Sequence, residues 1–172
     1  MRAAARIRWY GRAGEGQETQ VQELYYEDLE PGRVFRGRGR RQVDRDEIKA
    51  FAREFDPQPF HLDEAAAEQS LFGGLAASGW HTAAITMQLL VTSEFRIAGG
   101  LVGLGVEKLR WPRPTRPGDE LRVEVEVLTA RESRSRPGYG LVTTKTTTFN
   151  QEGAAVQEAV NTMIVPRRET SP

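Results

Sequence analysis

The sequence lacks cysteine altogether and has only two histidines among its 172 residues. The absence of cysteine excludes disulfide bonds, thiolate zinc sites and a cysteine nucleophile. Basic and acidic residues number 24 each, so no net charge draws the whole molecule onto nucleic acid or an anionic membrane. No apolar run approaches the roughly 20 residues that span a bilayer, and no secretory h-region opens the chain. These absences favour a cytoplasmic protein without a nucleic-acid or membrane partner.

The length and composition indicate one compact domain between two tails. A chain of 172 residues is close to the usual size of a single domain. Residues 1–22 begin with several arginines and have no acidic residue before Glu15. We interpret them as a flexible leader, with a targeting peptide as the alternative. The domain then extends over residues 23–166, and residues 167–172 form a C-terminal tail.

The spacing of apolar residues predicts two main helices. Asp44 followed by Glu47 is typical of a capping box, and apolar residues at helical spacing extend that helix over residues 44–55. A short helix is predicted across residues 65–67. A longer helix is predicted over residues 78–91, where apolar side chains point to most sides. That pattern is typical of a helix that is buried rather than lying on a surface.

After residue 100 the spacing of apolar residues changes from that of a helix to the alternation typical of strands. The predicted strands cover about residues 102–111, 121–127, 140–149 and 155–165. A break in the alternation near Glu107 and Lys108 predicts a bulge, and residues 131–138 are predicted to form an exposed hairpin loop. One or two strands from residues 33–43 complete an antiparallel sheet. With the long helix packed on it, the architecture is of the α+β class.

The segment with the most chemistry follows the first predicted helix. Asp56 and His61 stand close together in a loop stiffened by Pro57 and Pro59, which limits the entropy lost on ordering both side chains. Histidine exchanges protons near neutral pH, and a nearby carboxylate orients it or shares a water with it. The pair therefore suits proton transfer to and from water, with structural hydrogen bonding as the alternative. No metal site is predicted, because His81 is too distant in the chain.

The segments around this pair resemble the MaoC-like dehydratases, the family of (R)-specific enoyl-CoA hydratases. The likeness extends in order over about residues 24–165. The family pattern Asp-x-Asn-Pro-x-His-x-Asp is similar to residues 56–63, except that Gln58 stands where the family has asparagine. The other similar segments are Phe51-Ala52, Phe72-Gly73-Gly74, Ala77-Ser78-Gly79, Leu109 to Pro114 and Arg116 to Leu121.

The resemblance implies a hot-dog fold, in which a curved antiparallel sheet wraps around a long central helix. It also implies addition of water to a trans-2-enoyl thioester, or the reverse dehydration, with Asp56 and His61 holding the water. The thioester oxygen gains negative charge in this reaction and needs preorganised donors. The N–H groups at the start of the long helix, at Ser78 and Gly79, are the candidates. Gly79 either lets an acyl chain come close or serves helix packing alone.

Three further residues near the motif are predicted to shape the substrate pocket. Gln58 braces the catalytic loop in a different way from the family's asparagine. Trp80 and His81 stand where the family has aliphatic residues, and they narrow the pocket or add a polar group to it. For His81 the possible roles are a second acid/base, a substrate contact or a hydrogen-bonded structural residue.

The substrate implied by the resemblance is an acyl-CoA of fatty acid metabolism or a related thioester, and no cofactor is expected. Arg110, Arg113 and Arg116 are candidate contacts for the CoA phosphates, with a solvated charged face as the alternative. The family also implies a homodimer or a higher homo-oligomer. A hot-dog thioesterase and a non-catalytic acyl-binding module stay open as other functions. A nucleic-acid module has only the arginine-rich leader in its favour.

Overall fold

The computed structural model describes residues 22–168, so nearly all of the predicted leader lies outside the described residues. The helices are α1 (Arg45–Phe55), α2 (Pro59–Leu62), α3 (Glu64–Glu68) and α4 (Gly79–Val91), after a 3-10 turn at Tyr26–Asp28. The strands are β1 (Val34–Arg36), β2 (Arg41–Gln42), β3 (Val102–Arg110), β4 (Glu120–Glu132), β5 (Tyr139–Phe149) and β6 (Ala155–Pro166). None of the helices in this range is long and apolar enough to cross a membrane.

The strands form one antiparallel sheet in the order β1-β4-β5-β6-β3, with β2 also pairing with β4. Strands β4, β5 and β6 follow one another as the predicted meander, and β1 and β2 are the short strands expected from residues 33–43. On β5 every second residue from Gly140 to Thr148 is buried, because successive side chains of a strand point to opposite faces. The buried face of the curved sheet carries α4. The predicted hot-dog fold is confirmed.

The irregular strand predicted after residue 100 is present as β3. Its pairing with β6 shifts register between Gly103 and Gly105, and again between Val106 and Lys108. The predicted bulge is therefore confirmed, and a second irregularity lies just before it. Bulges bend a strand and strengthen its twist, which helps the edge of the sheet to curve around α4.

Helix α1 begins at the predicted cap, but only half of the predicted capping box forms. The Asp44 carboxylate accepts from the N–H groups of Asp46 and Glu47 at 2.8 and 3.1 Å. The Glu47 carboxylate instead accepts from the Arg41 guanidinium at 2.6 and 2.7 Å. This partly exposed ion pair ties α1 to β2.

The segment predicted as a loop after α1 contains the short helix α2. Pro59 lies in its first turn, where a missing N–H leaves no bond unmade and the fixed φ suits a helix. His61 lies on α2 rather than in a loop. Asp63 then accepts from the Ala66 N–H at 2.8 Å and caps α3, the short helix predicted across residues 65–67. Consecutive short helices thus fix the backbone on both sides of His61.

Helix α4 starts where predicted, with Ser78 as its N-cap, but its sides differ in burial. Ile85 and Leu89 are buried in the core against the sheet. The prediction of a helix buried on most sides is wrong for the single chain, because one sheet covers only one side of it. Exposed apolar side chains of α4 and the adjoining β3 form a surface that we call the open apolar face, comprising Trp80, Met87, Val91, Val102, Leu104 and Val106.

The first two residues of the predicted C-terminal tail are bound to the domain. Arg167 pairs with Glu27 and Glu132, and Arg168 pairs with Asp28. These ion pairs are partly exposed and contribute little individually. Together they hold the end of β6 against the start of the domain.

Candidate active site

Asp56 and His61 lie together in the wall of a cavity of about 610 Å³, which we call the Asp56 cavity. Its walls come from the end of α1 and the start of α2, the turn at residues 71–72, the first turn of α4 and the segment after β3. The other predicted site residues that line it are Gln58, Ser78, Gly79, Trp80, Arg113 and Arg116. The fold therefore gathers most of the predicted site into one place.

His61 is fixed with one ring nitrogen turned toward Asp56. Its Nδ1 lies 2.7 Å from the carbonyl oxygen of Ala76. A carbonyl only accepts hydrogen bonds, so Nδ1 carries the proton, and Nε2 has the lone pair in the neutral ring. Nε2 lies 3.5 Å from Asp56 Oδ2. Two acceptors therefore face each other, an arrangement that one water molecule satisfies by donating a hydrogen to each.

The Asp56 carboxylate is held in place by two neighbouring side chains. Its Oδ2 accepts from Ser78 Oγ at 2.6 Å, and its Oδ1 accepts from Gln58 Nε2 at 2.7 Å. Ser78 Oγ also accepts from the Trp80 N–H at 3.2 Å, so this hydroxyl joins the carboxylate to the start of α4. Gln58, at the position of the family's asparagine, braces Asp56 directly.

These contacts set the ionisation of Asp56. Burial raises the pKa of the carboxyl, but the hydrogen bonds from Ser78 and Gln58 and the proximity of His61 together lower it by more. The pKa of Asp56 therefore lies below its ordinary value. At neutral pH the group is ionised and is able to act as a hydrogen-bond acceptor or a base.

Packing against Trp111 accounts for the glycine at position 79. A Cβ atom on Gly79 would lie 2.7, 2.8 and 2.9 Å from three atoms of the Trp111 indole, so a larger residue displaces the ring. Trp111 Nε1 donates to Gln157 Oε1 at 2.9 Å, and Trp80 meets the indole edge-on with centroids 5.6 Å apart. The Gly79 N–H has no hydrogen-bond partner within residues 22–168.

His81 lies outside the Asp56 cavity. Its ring stacks on Phe51 of α1, with centroids 4.8 Å apart and planes 12° from parallel. Its Nδ1 is buried and has no hydrogen-bond partner in the described part of the chain. Burial has the largest effect on the pKa of His81 and lowers it, while the Glu47 charge raises it and the Arg41 charge lowers it. The pKa of His81 therefore lies below its ordinary value. His81 therefore differs from the other predicted site residues, because it does not line the Asp56 cavity and its Nδ1 has no described partner.

The three candidate arginines differ in what they already bind. Arg116 donates to backbone carbonyls in the turn at residues 72–75. Arg110 pairs with Glu158 at 2.6 Å and does not line the cavity. Arg113 lines the cavity and forms no ion pair or hydrogen bond with the residues from 22 to 168. Of the three, Arg113 alone lines the cavity without a described ion pair or hydrogen bond.

Sequence reasoning missed the aromatic and hydroxyl groups around the pair. Phe60 and Phe72 flank the His61 ring, with centroids 4.6 and 6.1 Å away. Thr82 Oγ1 donates to Thr115 Oγ1 at 3.0 Å, and both threonines line the cavity. Because Phe60 directly precedes His61 in the sequence, an aromatic contact with the His61 ring could have been predicted. The threonine pair joins distant parts of the chain, and no local pattern indicates it.

A hot-dog fold with an aspartate and a histidine beside the start of its central helix defines the class of this protein. Residues 27–150 match the family described as MaoC like domain, the MaoC-type dehydratases. The chain belongs to this family. The match covers the helices, most of the sheet and the whole wall of the Asp56 cavity.

Three proteins illustrate what the chain is similar to. The crystal structure of the MaoC-like dehydratase from Rhodospirillum rubrum is 56% identical, with a TM-score of 0.82 over 86% of this chain and 99% of that one. The (R)-hydratase from A. caviae involved in PHA biosynthesis is 29% identical, with a TM-score of 0.65 over 81% of this chain and 99% of the hydratase chain. Uncharacterized protein YdeM from Bacillus subtilis is 34% identical over 136 residues, which are 79% of this chain and 94% of YdeM.

Proposed function

We propose that this protein adds water to the double bond of an enoyl thioester, or removes it from a 3-hydroxyacyl thioester, with Asp56 and His61 as its catalytic residues. The observation that carries the proposal is the 3.5 Å approach of Asp56 Oδ2 and His61 Nε2, two acceptors that a single water bridges. Membership of the MaoC-like family, with an (R)-hydratase among the similar structures, supports the same chemistry.

In hydration, the water oxygen bonds to the β-carbon of the thioester and a proton is added to the α-carbon. The ionised Asp56 and the Nε2 atom of His61 each accept a hydrogen bond from the water, which points an oxygen lone pair toward the β-carbon. One of the two takes the water proton as the carbon–oxygen bond forms. The α-carbon then receives a proton from the pair as the enolate collapses, so the pair ends the cycle unchanged.

The enolate oxygen carries negative charge, and the start of α4 supplies a donor for it. The Gly79 N–H is the candidate, since Gly79 lines the cavity at the first position of α4 and its N–H donates to no described residue. The positive end of the helix dipole lies at the same place. In other enzymes one such donor contributes on the order of 10²–10³ in rate.

The substrate in this proposal is an acyl-CoA or a similar thioester, and the reaction needs no cofactor. Arg113 supports this, because it lines the cavity without a described ion pair and arginine binds phosphate oxygens in a bidentate manner. Arg110 and Arg116 already bind Glu158 and backbone carbonyls. We therefore assign the phosphate contact to Arg113 alone.

We also infer that the active protein is a homodimer in which the open apolar face of one chain covers that of its partner. Trp80 of this face and the nearby Trp111 both line the Asp56 cavity and are exposed in the single chain. A partner chain that covers them buries apolar surface and closes the cavity mouth. Light scattering on the purified protein is expected to give twice the 19.3 kDa chain mass. A monomer with full activity would contradict this inference.

The proposal is tested by following the hydration of crotonyl-CoA and longer enoyl-CoAs by the purified protein. We expect 3-hydroxyacyl-CoA to form. Asp56→Asn and His61→Ala are each expected to lower kcat/KM by on the order of 10²–10⁴, the usual contribution of general acid–base catalysis, while circular dichroism shows a folded protein. Glu54→Gln is the matched control, because Glu54 is an exposed carboxylate of α1 just before the site. It should leave kcat/KM unchanged.

Other outcomes identify other functions. Undiminished turnover in both site variants contradicts the assignment of Asp56 and His61. Release of free CoA from a saturated acyl-CoA, without hydration of enoyl-CoA, identifies a thioesterase. Binding of enoyl-CoA without any conversion identifies a non-catalytic acyl-binding module.

A further inference from the structure

A buried glutamine lies behind the wall of the Asp56 cavity. Gln157 is on β6, is 3% exposed and does not line the cavity itself. The buried residues further along the same inward-facing row are Ala159, Met163 and Val165. An amide buried among apolar side chains destabilises a protein unless it is hydrogen-bonded. The reason for an amide at this position therefore lies in what it binds.

Gln157 fixes the orientation of the Trp111 indole. Its Oε1 accepts from Trp111 Nε1 at 2.9 Å. An indole has one N–H and accepts no hydrogen bond, so this bond decides which edge of the ring points into the domain. Trp111 directly follows β3, lines the Asp56 cavity and is partly exposed. Packing alone leaves a partly exposed ring several orientations, and the bond to Gln157 selects one of them.

The selected orientation places the six-membered ring of the indole against Gly79. The atoms that a Cβ on Gly79 would approach, at 2.7, 2.8 and 2.9 Å, are Cε2, Cδ2 and Cζ2. Such similar distances to three atoms of one ring place position 79 over the face of the ring rather than beside its edge. Trp80 packs edge-on against the same indole. Trp111 thus connects β6 to the first residue of α4.

The start of α4 is therefore held by contacts at two successive residues. Ser78 bonds to Asp56, and Gly79 lies against Trp111. Gly79 carries the N–H that the proposed function assigns to the enolate oxygen. Such a donor stabilises a transition state only when it is placed within about 0.5 Å of the productive geometry. A contact that fixes Gly79 relative to Asp56 therefore affects the rate.

We propose that Gln157 is a positioning residue of the active site, which acts through the Trp111 indole to fix the Gly79 N–H where the thioester oxygen gains charge. The inference rests on the proposed hydratase function and adds to it a residue that lies outside the cavity. Because Gln157 does not line the cavity, it acts only through the indole. The contacts involved all lie within one chain, so they are present whether or not a partner chain covers the exposed part of Trp111.

Replacing Gln157 with methionine tests the inference, because methionine keeps the length of the side chain and removes the acceptor. In crotonyl-CoA hydration, Gln157→Met is expected to lower kcat about tenfold, which is part of the contribution of a whole donor, on the order of 10²–10³. KM should stay within about twofold, since the bond to the oxygen strengthens only in the transition state. Gln157→Glu keeps an acceptor oxygen in either protonation state and should restore most of kcat.

Trp111→Phe completes a double-mutant cycle with Gln157→Met. It removes the N–H that Gln157 binds and keeps an aromatic ring at position 111. If Gln157 acts only through this N–H, Gln157→Met should cause no further loss of kcat in the Trp111→Phe background.

Thr148→Val is the matched control for the loss of a buried hydrogen bond. Thr148 lies opposite Gln157 in the register of β5 and β6, is buried and bonds to Thr86 of α4 at 2.7 Å. It does not line the Asp56 cavity. Thr148→Val should therefore lower the melting temperature and leave kcat unchanged.

Nuclear magnetic resonance follows the Gly79 N–H without turnover. Butyryl-CoA is a saturated thioester and has no double bond to hydrate. We expect its binding to move the Gly79 amide resonance in the unchanged protein and in Gln157→Glu, and to move it much less in Gln157→Met. The Trp111 indole N–H should also exchange with solvent faster in Gln157→Met.

Full kcat in Gln157→Met overturns the inference, and so do additive losses in the double variant or an equal loss of kcat in Thr148→Val. Failure of the proposed function has a different signature. If the unchanged protein hydrates no enoyl-CoA, but butyryl-CoA moves the Gly79 resonance as expected, the positioning role of Gln157 stands and the catalytic proposal falls. If butyryl-CoA moves this resonance equally in the unchanged protein and in Gln157→Met, the positioning role falls.

Discussion

The surroundings of the two histidines differ, and with them the chemistry that each is able to do. His61 and His81 are both buried. His61 has Nδ1 paired with a carbonyl and Nε2 facing Asp56, whereas His81 stacks on Phe51 and has a buried nitrogen without a partner. Proton transfer needs a defined tautomer and a second group within reach of the same water. Only His61 meets both conditions, although the residue type is the same.

The largest expected effect is a difference in kcat/KM between the variants in which His61 or His81 is replaced with glutamine. His61→Gln removes the atom that faces Asp56, so kcat/KM for enoyl-CoA hydration should fall by on the order of 10²–10⁴. His81→Gln should leave kcat/KM nearly unchanged, because His81 does not line the Asp56 cavity. Steady-state kinetics at neutral pH, with melting curves for both variants, provides the measurement. Equal losses of activity in the two variants would show that His61 has no catalytic role that His81 lacks.

A second pair of residues extends the comparison to the two ends of α4. Ser78 Oγ and Ser93 Oγ each accept from a backbone N–H and donate one bond, Ser78 to Asp56 and Ser93 to the carbonyl of Leu90. Ser78→Ala is expected to lower kcat/KM by about ten- to a hundredfold, because a hydrogen bond to a charged group contributes roughly 1.5–3 kcal/mol. Ser93→Ala should affect stability alone.

The pH dependence of kcat/KM separates these two effects. The bond from Ser78 lowers the pKa of Asp56, so its removal raises that pKa. Because the proposed mechanism uses Asp56 in its ionised form, the acid limb of the profile should move to higher pH in Ser78→Ala and stay in place in Ser93→Ala. The same shift in both variants would point to general destabilisation instead.

Gln58→Leu is expected to have a smaller effect of the same kind. The Gln58 amide donates to Asp56 Oδ1 and also lowers the pKa of that carboxyl, but the side chain is exposed and water replaces part of what it contributes. The acid limb of kcat/KM should therefore move to higher pH by less than in Ser78→Ala. Gln58→Glu is the companion variant, since a second carboxylate beside Asp56 raises its pKa further. An unmoved acid limb in both variants would remove Gln58 from the site.

Elements that depend on nearby residues were predictable from the sequence. Asp44 and Ser78 mark the starts of α1 and α4, because a cap bonds to N–H groups two or three positions ahead. Alternation marks β4, β5 and β6 for the same local reason. The pairing of Asp56 with His61 also needs only a short segment of chain. The short helix α2 was predicted as a loop, since four residues are too few to show a helical period.

Features that join distant parts of the chain were not predictable. The Trp111 indole lies against Gly79 only because the end of β3 meets the start of α4. Arg116 looked like a phosphate contact, but the fold places backbone carbonyls within its reach. Spacing in the sequence identifies which residues share a face, but not what that face meets.

The smallest expected effect is on stability at mildly acidic pH. Burial lowers the pKa of His81 in the folded protein, so the unfolded chain binds this proton more readily than the folded one. The free energy of unfolding is therefore highest above the unfolded pKa of about 6.5 and falls as the pH decreases below it. His81→Phe preserves the stacking on Phe51 and removes the proton, so its free energy of unfolding should fall less steeply below that pH. Urea denaturation of the unchanged protein and of His81→Phe across this pH range measures the difference.

The lowered pKa of Asp56 also makes stability fall with decreasing pH, but only nearer the unfolded value of about 3.9 and equally in the unchanged protein and in His81→Phe. Parallel curves would show that folded His81 takes up its proton as easily as the unfolded chain does.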